Sequence, residues 1–170
     1  MIRVVLLADT HGQLDARIAQ LIPRTDSVVH AGDIGGAHVL EQIRPRSGRV
    51  VAVRGNNDLP DKWPGEDRHL LRTLPQYAEL ALPGGVLAVV HGHRALPAAR
   101  RHQRLRQQFP QARAVVYGHS HRLALDRDAE PWVLNPGAAG RARTFGGPSC
   151  LLLTATATRW SIAVKRFPRQ

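Results

Sequence analysis

The sequence lacks several features that would place a protein in a membrane or an oxidising compartment. Its single cysteine, Cys150, excludes an internal disulfide bond. No apolar run approaches the roughly 20 residues that a membrane-spanning helix needs. The apolar segment 4–8 is too short for the hydrophobic region of a signal peptide and is followed by Asp9. We therefore expect a cytoplasmic protein with no membrane partner.

Acidic residues, lysines and aromatic residues are also scarce. The chain has 13 acidic and 24 basic residues, for a net charge of +11, and only Lys62 and Lys165 are lysines. Such a charge suits an anionic partner such as phosphate, nucleic acid or an acidic protein surface. A bias toward GC-rich codons would give the same arginine content without any partner. Composition alone leaves both explanations open.

The first half of the chain alternates apolar runs with helical patterns. A length of 170 residues with 43% apolar content is typical of one domain, here residues 1–170, with a substantial core. This alternation is typical of parallel strands joined by helical crossovers. The predicted strands are 2–8, 27–31 and 49–54, and the predicted helices are 13–22 and 37–44.

The second half is richer in strand patterns. The segment 96–109 is predicted to be a helix, because Pro110 follows it and Pro97 lies near its start. The final two strand patterns are expected to pair as a hairpin. The predicted strands are 69–73, 77–82, 86–90, 112–117, 122–126, 132–134, 149–158 and 160–167.

Five of the predicted strands are followed directly by residues that can ligate a metal ion. In chain order these residues are Asp9, His11, Asp33, Asn56, His91, His119 and His121. In open α/β sheets, functional crevices lie at the carboxyl ends of strands, and an i, i+2 pair can direct both side chains to one side. Each motif alone could be a helix cap or a turn. Five motifs in order, all at strand ends, predict a metal centre.

The ligand types narrow the choice of ion. Imidazoles and carboxylates without a thiolate suit borderline divalent ions such as Mn, Fe, Co, Ni or Zn. Two ions about 3.5–4 Å apart need a shared ligand, which a carboxylate provides with its two oxygens. Asp33 lies in the middle of the series and is the natural bridge.

The motif series D-x-H, G-D, G-N, H and G-H-x-H resembles that of the calcineurin-like metallophosphoesterases. The resemblance covers residues 4 to about 150, and Asn135-Pro136-Gly137 is similar to a motif of the small, single-domain YfcE-like phosphodiesterases. It implies an α+β fold with four α/β/β/α layers, in which two mixed β-sheets pack as a sandwich flanked by helices.

The resemblance also implies a dinuclear, metal-dependent phosphoesterase, most simply a phosphodiesterase in which a metal-bridging hydroxide attacks phosphorus in line. One ion would be held by Asp9, His11, Asp33 and His121. The second would be held by Asp33, Asn56, His91 and His119. Manganese is the favoured ion, with Fe, Ni, Co and Zn as alternatives, and Asn56 is also expected to act in catalysis by donating toward the phosphate. The substrate would be a phosphodiester or phosphomonoester.

Residues beside the motifs are expected to support the ligands or contact substrate. These residues are Arg54, Asp58, His93 and Arg94. The loop 59–68, with Trp63, is expected to influence specificity. His30 is expected to pack behind the ligands, and His38, His69 and His102 are expected at the surface.

One departure from the family pattern concerns the leaving group. Many members carry a histidine after the G-N pair that helps to protonate the leaving group, but this chain has Asn57 there. We therefore expect activated aryl phosphodiesters to react much better than alkyl ones.

Two alternatives remain open at this stage. A retromer subunit resembles this fold and works mainly as a protein-interaction scaffold, so the fold does not guarantee catalysis. The basic segment 94–113 could instead grip nucleic acid, which would indicate a nucleic-acid-directed phosphodiesterase, although aromatic residues for base stacking are few. A homo-oligomer also remains open.

Overall fold

Ten strands divide equally between two sheets in the computed structural model, which describes residues 1–169. The first sheet has the order β10-β9-β1-β2-β3, in which β1, β2 and β3 are parallel and β9 and β10 are antiparallel to their neighbours. Its strands are Ile2–Leu7 (β1), Ser27–His30 (β2), Arg49–Ala52 (β3), Ser149–Ala155 (β9) and Trp160–Arg166 (β10).

The second sheet has the order β4-β5-β6-β8-β7. Its central strands β5, β6 and β8 are parallel, and the edge strands β4 and β7 are antiparallel to their neighbours. Its strands are Tyr77–Leu82 (β4), Gly85–Val90 (β5), Ala114–Val116 (β6), Ala124–Asp126 (β7) and Trp132–Asn135 (β8).

Alternation along β1 explains why the sheets pack as a sandwich. Val4 and Leu6 belong to the core cluster between the sheets, which also contains Leu87 and Val116 of the second sheet. Leu7 points the other way, into a cluster beneath the first helix. Residues 4–7 of β1 are buried on both faces, which agrees with their unbroken apolar sequence, and each fully buried side chain contributes roughly 1.5–3 kcal/mol.

Short helices cover the outer faces of the two sheets and complete the four layers. Ile18 and Ile22 cover the first sheet, and Leu105 and Phe109 cover the second. The predicted two-sheet fold of mixed strands with flanking helices is confirmed. The helices are Ala16–Ala19 (α1), Ala37–Glu41 (α2), Arg68–Thr73 (α3) and Arg101–Gln108 (α4), with 3-10 turns at Ile22–Arg24, Gly65–Asp67 and Ala98–Arg100.

Some sequence predictions of local structure are wrong. The segment 69–73 is part of α3 and not a strand, and its one buried residue, Leu71, packs with Ile34 and Trp63. Helix 13–22 is shorter than predicted, because Pro23 closes the segment in a 3-10 turn after α1. Cys150 is a buried residue of β9. Among the helices of residues 1–169, none is long and apolar enough to cross a bilayer.

Candidate metal centre

Backbone hydrogen bonds bring the ends of the strands together. The amide nitrogens of Asp9 and His11 donate to the carbonyl oxygens of Gly32 and Asp33, at 3.0 Å in both cases. The amide nitrogen of His119 donates to Oδ1 of Asp9 at 3.1 Å. Since Asp9 follows β1 and His119 follows β6, this last bond joins the loops of the two sheets.

Four of the predicted ligands form one compact group. Nε2 of His11 lies 3.0 Å from Nε2 of His121 and 3.7 Å from Oδ2 of Asp33. Nε2 of His121 lies 3.6 Å from Oδ1 of Asp9. One donor atom from each of the four residues lies within 4.8 Å of the others, which is a spacing able to hold a metal ion.

The other predicted ligands lie on the opposite side of Asp33. Nε2 of His91 lies 3.4 Å from Oδ1 of Asp33 and 3.0 Å from Oδ1 of Asn56. Nδ1 of His119 also lies 3.0 Å from Oδ1 of Asn56. The two oxygens of Asp33 thus face the two groups, with Oδ2 toward His11 and Oδ1 toward His91.

Local backbone conformation gives an independent indication of function. In the described part of the chain, six residues other than glycine have positive φ, and five of them are predicted ligands. Such conformations cost about 1–3 kcal/mol each and cluster at functional sites. The five ligands are Asp9, His11, Asp33, His119 and His121, with φ between 46° and 66°.

The polar atoms of the centre fit a divalent cation. Oδ2 of Asp9 is buried and accepts no hydrogen bond within residues 1–169. Burial raises the pKa of Asp9 to about 7 and outweighs the opposing charges of His91 and Arg143. Burial also lowers the pKa of both His119 and His121 to about 4, which leaves their imidazoles neutral and able to ligate.

Asp33 and His91 shift the pKa of one another in opposite directions. Burial raises the pKa of Asp33, but the hydrogen bond and charge of His91 outweigh it and hold the pKa well below its usual range. Burial lowers the pKa of His91, but Asp33 outweighs it and the net shift is upward. Nδ1 of His91 lies 2.8 Å from the carbonyl oxygen of Ala31 and donates to it, which leaves Nε2 for a ligand.

Asp58 supports the centre without reaching it. Its Oδ1 accepts from the amide nitrogens of Ile34 and Gly35 at 2.9 and 3.0 Å, and its Oδ2 accepts from that of Gly55 at 2.8 Å. Trp63 Nε1 donates to the same Oδ1 at 3.0 Å. This buried carboxylate therefore ties the loop after β2 to the loop after β3.

The expected role of Trp63 in specificity is not supported by its position. Its side chain is only 3% exposed and is held by Asp58, so it packs inside the protein.

The two arginines expected beside the ligands differ in their contacts. The Nε of Arg54 donates a hydrogen bond to the carbonyl oxygen of Asp58 at 2.9 Å. Arg94 is exposed beside His93, whose ring centroid lies 5.4 Å from that of His91.

Two supporting roles, those of Asn57 and Asn135, emerge only from the fold. The amide N and Nδ2 of Asn57 donate to the two oxygens of Asp33, each at 2.8 Å. Nδ2 of Asn135 donates to the carbonyl oxygen of Gly118 and the hydroxyl of Ser120, and thereby holds the loop of His119 and His121. No local pattern in the sequence indicates these partners.

The other histidines divide between interior and surface. His30 is fully buried behind the centre, as expected, with Nε2 2.8 Å from the hydroxyl of Thr10. His38 and His69 are exposed. His102, expected at the surface, keeps 31% of its side chain exposed but also bonds to its neighbours, with Nδ1 2.7 Å from Asp126 and Nε2 2.9 Å from the hydroxyl of Tyr117.

Arg143 is the main site residue that the sequence did not reveal. Its Nη2 lies 3.4 Å from Nε2 of His11, and its φ of 51° makes it the sixth residue of the positive-φ group. It follows the Asn135 motif but belongs to no ligand pattern, so only its folded position indicates a role.

Comparison with known structures supports the fold. Vps29 of Entamoeba histolytica complexed with Zn²⁺ is 17% identical, covers 98% of both chains and has a TM-score of 0.73. An archaeal phosphodiesterase is 17% identical over 96% of this chain and 100% of that one, with a TM-score of 0.70. A predicted phosphoesterase of Streptococcus pneumoniae is 18% identical over 97% and 89%, with a TM-score of 0.67.

Comparison of sequences identifies the family. No curated protein is similar enough to count as a match. A sequence model of the calcineurin-like phosphoesterase superfamily domain matches residues 2–158. That match covers most of the chain, including every predicted ligand, and so the chain belongs to the calcineurin-like phosphoesterase superfamily.

Proposed function

We propose that this protein is a dinuclear, metal-dependent phosphodiesterase. The observation that carries the proposal is the placement of seven ligand-type residues in two groups that share Asp33. One ion would be held by Asp9, His11, Asp33 and His121. The other would be held by Asp33 together with Asn56, His91 and His119. The positive-φ backbone at five of these positions supports a built site.

Bound divalent ions supply Lewis acidity, which brings the pKa of water toward about 7 and neutralises charge on phosphoryl oxygens. Manganese is the ion we favour, and the imidazole-carboxylate set is also compatible with iron, nickel, cobalt and zinc. The buried, unpartnered Oδ2 of Asp9 and the neutral imidazoles of His119 and His121 support a cationic occupant.

We assign phosphate binding to two protein groups. Oδ1 of Asn56 faces His91 and His119, and its NH2 group, which makes no hydrogen bond within residues 1–169, is the donor we assign to a phosphoryl oxygen. The guanidinium of Arg143 lies beside His11 and can offer two parallel N–H groups to the same phosphate. Both groups would orient the ester for in-line attack.

The decisive experiment uses metal-stripped protein and bis(4-nitrophenyl) phosphate. We expect no hydrolysis without metal and hydrolysis after addition of Mn²⁺, because the negative charge on the phosphoryl oxygens must be neutralised before phosphorus is attacked. Metal content is measured in the same samples. Full binding of two ions per chain with no hydrolysis of this or other aryl diesters would contradict the proposal.

A scaffold function is the second candidate, since Vps29 is among the similar structures. The two functions differ in what the metal centre does. A scaffold would bind ions and a protein partner without turnover, whereas a phosphodiesterase requires catalysis that depends on Asn56 and Arg143. Loss of turnover in Asn56→Ala, with retained folding, therefore distinguishes them.

The basic segment 94–113 gives less support to a nucleic-acid function than its charge suggests. Arg101 is buried, and Arg106 pairs with Asp126 and donates to the carbonyl oxygen of Pro131. Arg113 donates to the carbonyl oxygen of Gly84 at 2.8 Å. These three side chains are engaged by groups of the protein, which leaves only Arg94, Arg100 and Arg104 of the segment's arginines exposed within residues 1–169.

A further inference from the structure

A strongly basic cavity adjoins the metal centre on the side of His11. Its volume is about 380 Å³. It lies between the start of α1, the loop 141–148 and the end of the described chain. Its charged lining consists of one carboxylate and four guanidinium groups, from Asp15, Arg17, Arg141, Arg143 and Arg169.

Pairing within the cavity leaves most of this charge uncompensated. Asp15 is occupied by Arg17, whose Nε and Nη2 donate to its two carboxylate oxygens at 3.0 and 2.8 Å. Arg169 donates through two nitrogens to the carbonyl oxygen of Thr144, which fixes its guanidinium but does not neutralise it. Arg141 is exposed and has no acidic partner in the described chain. The lining therefore carries a net excess of three positive charges.

Arg143 connects the cavity to the chemistry. It lines the cavity, and its Nη2 lies 3.4 Å from Nε2 of His11. A molecule bound to the metal centre through one phosphate can therefore reach the cavity with a second charged group. Guanidinium groups prefer anions with several acceptor oxygens, which they bind with two parallel hydrogen bonds.

We propose that this cavity binds a second phosphate of the substrate, so that the substrate is a phosphodiester that also carries a phosphomonoester group. This inference rests on the proposed phosphodiesterase function for its kinetic consequence. The binding consequence does not depend on turnover, because the arginines are present without metal. Arg141 is the specificity residue, since it lines the cavity and lies two residues before Arg143.

The first test measures binding to metal-free protein by isothermal titration calorimetry. Thymidine 3′,5′-bisphosphate and thymidine 5′-phosphate differ by the one phosphate in question. We expect the bisphosphate to bind about tenfold more tightly, the effect of one additional charge-assisted contact. Arg141→Ala should remove that difference. Arg104→Ala removes the same charge from the exposed face of α4 and should keep it.

Equal affinities for the two nucleotides would overturn the inference. It would also fail if Arg104→Ala reduced the difference as much as Arg141→Ala, because the effect would then be one of overall charge. Circular dichroism of both variants checks that they fold. Thymidine with a 3′-O-carboxymethyl group and a 5′-phosphate is a control that replaces the second phosphate by a carboxylate. Its gain in affinity over thymidine 5′-phosphate should be smaller than that of the bisphosphate. An equal gain would contradict the choice of phosphate.

The second test measures kcat/KM with Mn²⁺ for thymidine 5′-(4-nitrophenyl phosphate), with and without a 3′-phosphate. The reacting ester and leaving group are identical, so the ratio reports only the second phosphate. We expect a ratio of about ten in the wild type and about one in Arg141→Ala. A wild-type ratio of one would overturn the subsite and leave the phosphodiesterase proposal intact. Failure of both esters and of bis(4-nitrophenyl) phosphate would refute the phosphodiesterase, while the calorimetry would still decide the subsite.

Discussion

Nε2 of His11 and Nε2 of His121 lie 3.0 Å apart although the residues are 110 positions apart in the chain. His11 follows β1 of the first sheet and His121 follows β6 of the second, so their contact forms only when the sandwich is assembled. If the proposed ion binds this pair it would also hold the two sheets together, so we expect metal binding to stabilise the fold.

The shared position of Asp33 predicts how metal content responds to its loss. Asp33→Ala removes both oxygens that face the two ligand groups, so we expect bound metal to fall from two ions per chain to less than one. Mass spectrometry of metals after dialysis measures this content. Asp61→Ala, at an exposed position, is the control and should keep both ions. Retention of two ions in Asp33→Ala would show that the bridge assignment is wrong.

The absence of a side chain at Gly55 is a steric requirement of the centre. A Cβ at this position would collide with Oδ1 and the amide nitrogen of Asp33, so Gly55→Ala must displace the carboxylate that we propose as the bridge. We expect a loss of about 1–3 kcal/mol in the free energy of unfolding, together with weaker metal binding. Gly65→Ala is the matched control, because nothing lies within 4 Å of its added methyl group. Equal metal affinities for the two variants would contradict this account.

Asp58 offers a test of indirect support. Asp58→Asn keeps the shape of the side chain but turns one acceptor into an NH2 group facing N–H donors from Ile34, Gly35, Gly55 or Trp63. We expect the free energy of unfolding, measured by urea denaturation, to fall by about 2–3 kcal/mol. Asp61→Asn should change it by less than about 0.5 kcal/mol. A small effect at position 58 would mean that the two loops hold their positions without the carboxylate.

The sequence predicted site residues where a side chain able to ligate a metal directly follows an apolar strand. Asp9 and His11 could be assigned because they follow an apolar strand at a spacing that delivers two side chains to one side. The segment around Leu70 and Leu71 misled, since a short apolar pair fits a strand and a helix equally well. The role of Arg143 depends on a contact with a residue 132 positions away, and no local pattern encodes such a contact.

The buried His30 predicts a pH dependence of stability. Burial lowers its pKa to about 3 in the folded protein, against about 6.5 when unfolded. Below pH 6.5 the unfolded chain therefore binds a proton that the folded protein excludes. The free energy of unfolding decreases as the pH is lowered from about 6.5 to about 3. This residue contributes up to about 1.4 kcal/mol per pH unit to the slope. In metal-free protein, His30→Gln should reduce the slope between pH 6 and 4, whereas His69→Gln, at an exposed position, should not. An unchanged slope in His30→Gln would mean that His30 is protonated in the folded protein.

The surroundings of Asn57 predict a strong dependence on the leaving group. Its Nδ2 donates to Asp33 and its Oδ1 accepts from Nζ of Lys62 at 2.7 Å, which holds the side chain in place, and an amide has no acidic proton to give. Without a general acid at this position, negative charge accumulates on the departing oxygen. We expect kcat/KM with Mn²⁺ to fall steeply across a series of aryl methyl phosphodiesters as the pKa of the phenol rises, and alkyl diesters to react far more slowly.

Among residues 1–169, Lys62 is the one cation bonded to Asn57 that could replace the missing acid, and its removal completes this test. Lys62→Met keeps the length of the side chain and deletes the ammonium group. If no residue protonates the leaving group, the slope of log kcat/KM against phenol pKa stays the same in this variant. If Lys62 is the acid, the slope is shallow in the wild type and steepens in Lys62→Met, because good leaving groups need no proton and poor ones lose their donor. A shallow slope in both proteins would place the acid elsewhere and contradict the prediction drawn from Asn57.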